Sequence, residues 1–118
     1  MHSSPRDTII QWVAAFNAGD ANRITDFYAD HAVNHQVMFA PVVGKQNIRA
    51  MFAKEFEAYE MVCEIENIFE DGDWGILEWR DPLGLRGCGF FQFKDGLIIH
   101  QRGYWDRQSF SEAQTIQH

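Results

Sequence analysis

A chain of 118 residues that is 46% hydrophobic has the size of one domain and little room for a second core. The net charge is -7, with acidic residues gathered between Glu55 and Glu78 and the ten basic residues scattered, which excludes the clustered Lys and Arg of a nucleic-acid surface. The sequence has no apolar run of about 20 residues and no basic leader ahead of an apolar segment, so it reads as a cytoplasmic protein with no membrane contact.

Ser4, Pro5 and Asp7 supply a helix cap, a first-turn proline and an acid near the positive end of a helix. Ile9, Trp12, Val13 and Phe16 then recur at helical spacing until Gly19 stops the run. Asp20 is placed to cap a second, shorter helix carrying Ile24, Phe27 and Tyr28, after which residues 33–39 read as extended. Pro41 and Gly44 break the chain ahead of a third helix, in which Ile48, Met51, Phe52, Phe56 and Tyr59 form the apolar stripe.

From Met61 the period changes to two, with Met61, Cys63, Ile65 and Phe69 on one side and Glu64, Glu66 and Glu70 on the other. Asp71-Gly72 and Asp95-Gly96 are hairpin signals and residues 82–84 make a further turn, which predicts consecutive antiparallel strands over 74–81, 86–93 and 97–106. Residues 107–118 are mostly polar and read as a loosely held tail. The whole predicts a single α+β domain, its helices laid against one face of a curved antiparallel sheet with a hollow between the layers. Apolar alternation over 86–105 also leaves the other face in need of cover, which a second copy in a homodimer provides.

Cys63 and Cys88 have neither the number nor the spacing of a zinc cluster and read as small buried hydrophobes. His2, His31, His35, His100 and His118 show no ligand spacing on a helix, so neither a metal nor a cofactor is expected. Gly84, Gly87 and Gly89 lack the spacing of a phosphate loop and suit sheet bending.

Asp81 is the first acid–base candidate, because a carboxylate at the rim of a hollow walled by Trp79, Phe91 and Trp105 has its pKa raised by desolvation. Its position before Pro82 equally suits a turn cap. His35 is the second candidate, since histidine titrates near working pH. A regular strand puts His35 on the face opposite Asn34 and Gln36, and the sequence leaves open which of them meets the hollow. Glu78, Arg80 and Arg86 with His100, Arg102 and Tyr104 form another set, read either as ion pairs and a dimer contact or as a clamp for a substrate carboxylate.

The helix ending Asn-Ala-Gly-Asp at 17–20 is followed by Phe-Tyr-Ala-Asp-His-Ala-Val at 27–33, Gly-Lys-Gln-Asn-Ile at 44–48, Phe-Lys-Asp-Gly-Leu-Ile at 93–98 and Tyr-Trp-Asp at 104–106. Together these segments resemble the nuclear transport factor 2-like superfamily, in particular its SnoaL-like branch of polyketide cyclases. The resemblance implies a cone-shaped, cystatin-like sheet wrapped around a long helix. Set beside limonene-epoxide-hydrolase-like members, it puts Asn34 in place of a tyrosine, Gln36 in place of an asparagine and Trp79 in place of an arginine. Asp81 keeps an aspartate, while Gly103 stands where a second catalytic aspartate would be. Gly89 occupies a place where cyclases often carry an aspartate, and Asp106 matches a common terminal one.

Three functions fit these residues. The first is a cofactor-free cyclase, isomerase or hydratase acting on a small apolar or cyclic substrate, with Asp81 or His35 moving a proton and Asn34, Gln36, Trp79, Phe91 and Trp105 holding the substrate. The second is a small-molecule binding protein without turnover. The third is a structural dimerising domain.

Overall fold

A computed structural model of the chain describes residues 3–106, so the tail expected over 107–118 lies outside the described residues. Ser4 Oγ accepts the Asp7 N–H at 3.2 Å and opens α1 (Pro5–Asn17), which buries Ile9, Trp12 and Val13. Gly19 leaves the helix at φ 64°, a left-handed conformation that costs glycine little. Asp20 Oδ1 accepts the Arg23 N–H at 3.0 Å and starts α2 (Ala21–Thr25). This helix was expected to carry Phe27 and Tyr28, but it stops at Thr25. Tyr28 instead opens β1 (Tyr28–Gln36), where its side chain is fully buried. A short β2 (Val42–Val43), absent from the sequence reading, folds back on β1 before Gly44 turns the chain into α3 (Lys45–Ala58). Tyr59 caps that helix and is exposed, so the buried stripe runs through Ile48 and Phe52 without it.

The remaining strands are β3 (Glu64–Asp71), β4 (Trp74–Arg80), β5 (Arg86–Lys94) and β6 (Leu97–Trp105). They form the antiparallel meander that the turn residues predict. Asp95 and Gly96 both take positive φ, as a tight two-residue hairpin requires. The six-stranded sheet has the order β2-β1-β6-β5-β4-β3. With the helices on one face it gives the expected α+β architecture, a curved open sheet. One feature of the sheet departs from the expectation: β1 runs parallel to β6, pairing Asn34 with Gln101 and Gln36 with Gly103.

A second departure lies in β3. Its pairing with β4 slips between Ile65 and Asn67, leaving Ile65 opposite Trp79 but Phe69 opposite Ile76. An extra residue reverses the alternation, so Ile65 and Phe69 fall on different faces and Ile68 enters the core.

The helices are fastened to the sheet by close packing and by buried polar groups. A Cβ on Gly75 of β4 would lie 2.5 Å from Ile9 Cδ1, so α1 rests on bare strand backbone there. Arg6 Nη2 donates to the Ile68 carbonyl at 2.7 Å, and Asn17 exchanges two hydrogen bonds with the Cys63 backbone at 2.7 and 3.0 Å. Between these ends, Trp12 Nε1 donates to the Tyr28 hydroxyl at 3.0 Å, and that hydroxyl donates to Gln101 Oε1. One oxygen thus joins α1, β1 and β6. Burial pushes the Tyr28 pKa far above the usual phenol range, so the hydroxyl stays protonated and remains a donor.

Tyr28→Phe keeps the ring but leaves Trp12 Nε1 and Gln101 Oε1 without their partner, and is expected to cost about 1–3 kcal/mol in urea unfolding. An unchanged midpoint would show that the bonds contribute nothing to stability.

Candidate functional site

Strand pairing determines which side chains share the face under the helices. Asn34 and Gln36 of β1 lie beside Gln101 and Gly103 of β6, and Gly103 pairs with Gly89 of β5, which pairs with Leu77 of β4. Alternation adds Phe91, Gly87 and Trp79 to the same face. Trp12 of α1 meets Phe91 edge-on at 5.2 Å, and Phe52 of α3 lies 6.1 Å from the Tyr28 ring. The interior is therefore aromatic, with a small polar centre made of Tyr28, Asn34, Gln36 and Gln101.

Gln36 owes its position to a glycine. A Cβ on Gly103 would overlap the Gln36 carboxamide, so the absence of a side chain there makes the room that Gln36 fills. From that place Gln36 Nε2 donates to Asn34 Oδ1 at 2.9 Å. The Asn34 side chain is almost wholly buried, at 1% exposure. Its carboxamide lies near enough to the Tyr28 hydroxyl to oppose the rise in that group's pKa. Even so, Asn34 Nδ2 makes no hydrogen bond of acceptable geometry among the described residues. A buried donor without an acceptor is costly, and such groups concentrate where a ligand or water completes the set.

Glu55 was not singled out by the sequence reading. It stands on α3 seven residues after Ile48 and three after Phe52, hence on the buried side of the helix, and is half-buried. Burial raises its carboxyl pKa, and its charge is felt at the Tyr28 hydroxyl. The available signal was a carboxylate at an apolar-stripe position, masked by the neighbouring exposed acid Glu57.

The other expected site residues are distributed as follows. Asp81 was expected at the rim of a hollow with Trp79, Phe91 and Trp105. Its Oδ1 accepts the Leu83 and Leu85 N–H groups at 3.0 and 2.8 Å, closing its own turn. Trp79 lies across Gly87, where a Cβ would come within 2.6 Å of the indole. Phe91 is buried in the core, and Trp105 meets Phe39 edge-on at 6.2 Å at the end of β6. His35 pairs with Arg102 on the outer face of the sheet, away from Asn34 and Gln36.

That outer face also resolves the charged set. Arg80 pairs with Glu64 and Arg86 with Glu66, both of β3. Arg102 lies between the Trp74 and Phe90 rings, 5.0 Å from each centroid. Burial, followed by the charges of Arg102 and His35, holds the His100 pKa below its usual value. Cys63 and Cys88 are both free thiols. Among the described residues no three His, Cys, Asp or Glu side chains converge as metal ligands.

Two of the open grooves among the described residues lie beside α1. One, of about 430 Å³, is lined by Phe16, Gly19, Phe56, Tyr59 and Met61, where the ends of α1 and α3 approach each other. Phe16 stacks on Trp12 at 5.4 Å and Phe56 on Phe52 at 5.6 Å, so one aromatic layer separates this groove from the rings around Tyr28. The other, of about 470 Å³, runs between Arg6 and Ile10 of α1 and residues 65–69 of β3.

The fold recurs widely among solved structures. A protein named as a SnoaL-like polyketide cyclase from Shewanella denitrificans superposes with a TM-score of 0.81 at 16% identity, over 95% of this chain and 97% of the other. An NTF2-like protein of unknown function from Cytophaga hutchinsonii gives 0.79 at 14% identity, over 94% and 97%. The epoxide hydrolase/cyclase-like enzyme SalBIII, which has a role in pyran ring formation in the polyether salinomycin, gives 0.79 at 17% identity, over 89% and 92%. No curated protein matches the sequence. At these identities the likeness establishes the nuclear transport factor 2-like fold. The sequence itself matches the SnoaL-like domain over residues 9–101, and the chain therefore belongs to the SnoaL-like domain family.

Proposed function

We propose that this chain is a cofactor-free enzyme of cyclase, isomerase or hydratase type that takes a small, largely apolar cyclic molecule bearing a carbonyl, lactone or epoxide oxygen. The observation that carries this reading is the buried Asn34 Nδ2, a donor with no acceptor in an otherwise aromatic interior. Gln36, seated over Gly103, holds the carboxamide by its oxygen, and the Nδ2 is left to seek an acceptor. A substrate oxygen would supply the missing acceptor, and Trp12, Phe52 and Phe91 offer apolar contact to its ring. The groove at Phe16 and Phe56 is the proposed entrance, since Phe16 stacks on Trp12 there and Phe56 on Phe52. The names of SalBIII, an epoxide hydrolase/cyclase-like enzyme, and of the Shewanella protein, a polyketide cyclase, are in keeping with a cyclase reading.

One observation favours a second reading, a binding protein without turnover. The paired inner positions of β1, β4, β5 and β6 carry amides, glycines and apolar residues, and none of them carries a carboxylate. The same interior would then retain a ligand without transforming it.

We also propose that a second copy covers the outer face, where Phe69 and Tyr104 are exposed beside the Arg102–Trp74–Phe90 stack. Light scattering should give about twice the 13.7 kDa chain mass. A monomer persisting at tens of micromolar would contradict it.

The site is tested by titrating 2-tetralone, δ-valerolactone and cyclohexene oxide while following tryptophan fluorescence, with product analysis of each mixture. At least one should bind, and Asn34→Leu should weaken it about tenfold, the effect of one hydrogen bond. Equal affinity in both proteins, or no binding, would refute the site. Binding without product would select the second reading.

A further inference from the structure

We propose that Glu55 is the proton-transfer residue of this site, taking a proton from the carbon next to a substrate carbonyl whose oxygen rests on Asn34 Nδ2. The inference deepens the enzyme reading above and rests on it. Three observations place Glu55 in this role. Its position on α3 relative to Ile48 and Phe52 turns it toward the sheet, and Phe52 packs against Tyr28. Its charge adds to the rise of the Tyr28 pKa, which puts the carboxylate within electrostatic range of the polar centre. Among the described residues it makes no side-chain hydrogen bond or ion pair, in contrast to Glu64, Glu66, Glu70 and Glu78. A half-buried carboxylate held by nothing contributes poorly to stability and is free to accept a proton.

Asn34 Nδ2 is the independent second observation. Glu55 offers a base and Asn34 an unpaired donor, the two groups that enolisation needs. In the step, the Glu55 carboxylate forms an O–H bond with the α-proton. The C–H electron pair becomes the carbon–carbon double bond, and the carbonyl π pair moves onto oxygen, where Asn34 Nδ2–H stabilises the enolate. Return of the proton to carbon restores the carboxylate, so no oxidant, metal or cofactor is consumed.

Burial alone raises the Glu55 carboxyl pKa, and the titratable group it faces, Tyr28, stays neutral. The sign follows: a carboxyl whose folded pKa lies above its unfolded value stabilises the protein below the unfolded value, and this stability is lost as pH rises. Replacing Glu55 with neutral Gln should therefore raise the melting temperature at pH 7.5 and leave it nearly unchanged at pH 4. A carboxylate retained for structural reasons would show a lower melting temperature at pH 7.5.

The deciding experiment follows α-hydrogen exchange of 2-tetralone in D₂O by proton NMR, with tryptophan fluorescence reporting binding. The wild type should accelerate exchange over buffer, and Glu55→Gln should reduce the protein-catalysed rate at least about 100-fold with affinity changed less than threefold. Glu55→Asp, which keeps the carboxylate on a shorter stem, should recover part of that rate. Undiminished exchange in Glu55→Gln, or binding with no exchange in the wild type, would overturn the role of Glu55 and leave the binding site standing. Failure of 2-tetralone to bind while the lactone or epoxide binds would overturn enolisation as the chemistry. Failure of all three to bind would remove the site and this inference together.

Discussion

The buried Tyr28 hydroxyl is the junction of this fold. It accepts from Trp12 on α1 and donates to Gln101 on β6, while its own backbone begins β1. The three elements are distant in the chain, and burying their polar atoms is tolerable only when each finds its partner. That requirement fixes the depth at which α1 lies on the sheet and the register in which β1 runs alongside β6. Gly75 permits the close approach of α1, and the bonds of Arg6 and Asn17 secure its two ends.

The candidate site is a consequence of that junction. Once β1 is in register with β6, Asn34 and Gln36 must face Gln101 and Gly103, and His35 must face outward. The space above Gly103 admits the Gln36 carboxamide, which engages the Asn34 oxygen and leaves the Asn34 nitrogen unpaired. Stability alone would favour a leucine at such a position, because an apolar residue carries no unsatisfied donor. An unpaired donor kept inside the core is the kind of local inconsistency that accompanies function.

Much of the architecture was readable from local signals. The Ser4-Pro5-Asp7 start, the glycine stops and the Asp-Gly turns act within a few residues, and they placed α1, α3 and the meander. Interactions between distant parts of the chain were not readable. The stripe through Ile24, Phe27 and Tyr28 suits a helix, but burial of Tyr28 against Trp12 and Gln101 draws it into a strand. Parallel pairing of β1 with β6 has no turn to announce it, and the bulge in β3 leaves no mark on an alternating run. Asp81 before Pro82 carried both a catalytic and a turn-capping meaning, and its two backbone hydrogen bonds belong to the second. Alternation separated His35 from Asn34 and Gln36, but choosing the inner face required the register. Glu55 was hidden because a glutamate on a charged helix ordinarily faces solvent.

The side-chain amide of Asn34 can be observed alone. In a ¹⁵N-labelled sample titrated with 2-tetralone, the Asn34 Nδ2 proton signals should move downfield as the new acceptor arrives, with a smaller response at Gln36. Binding that perturbs residues around Phe16, Phe56 and Tyr59 while leaving the Asn34 amide unmoved would contradict the account, placing the ligand in the surface groove and leaving the buried donor without a role.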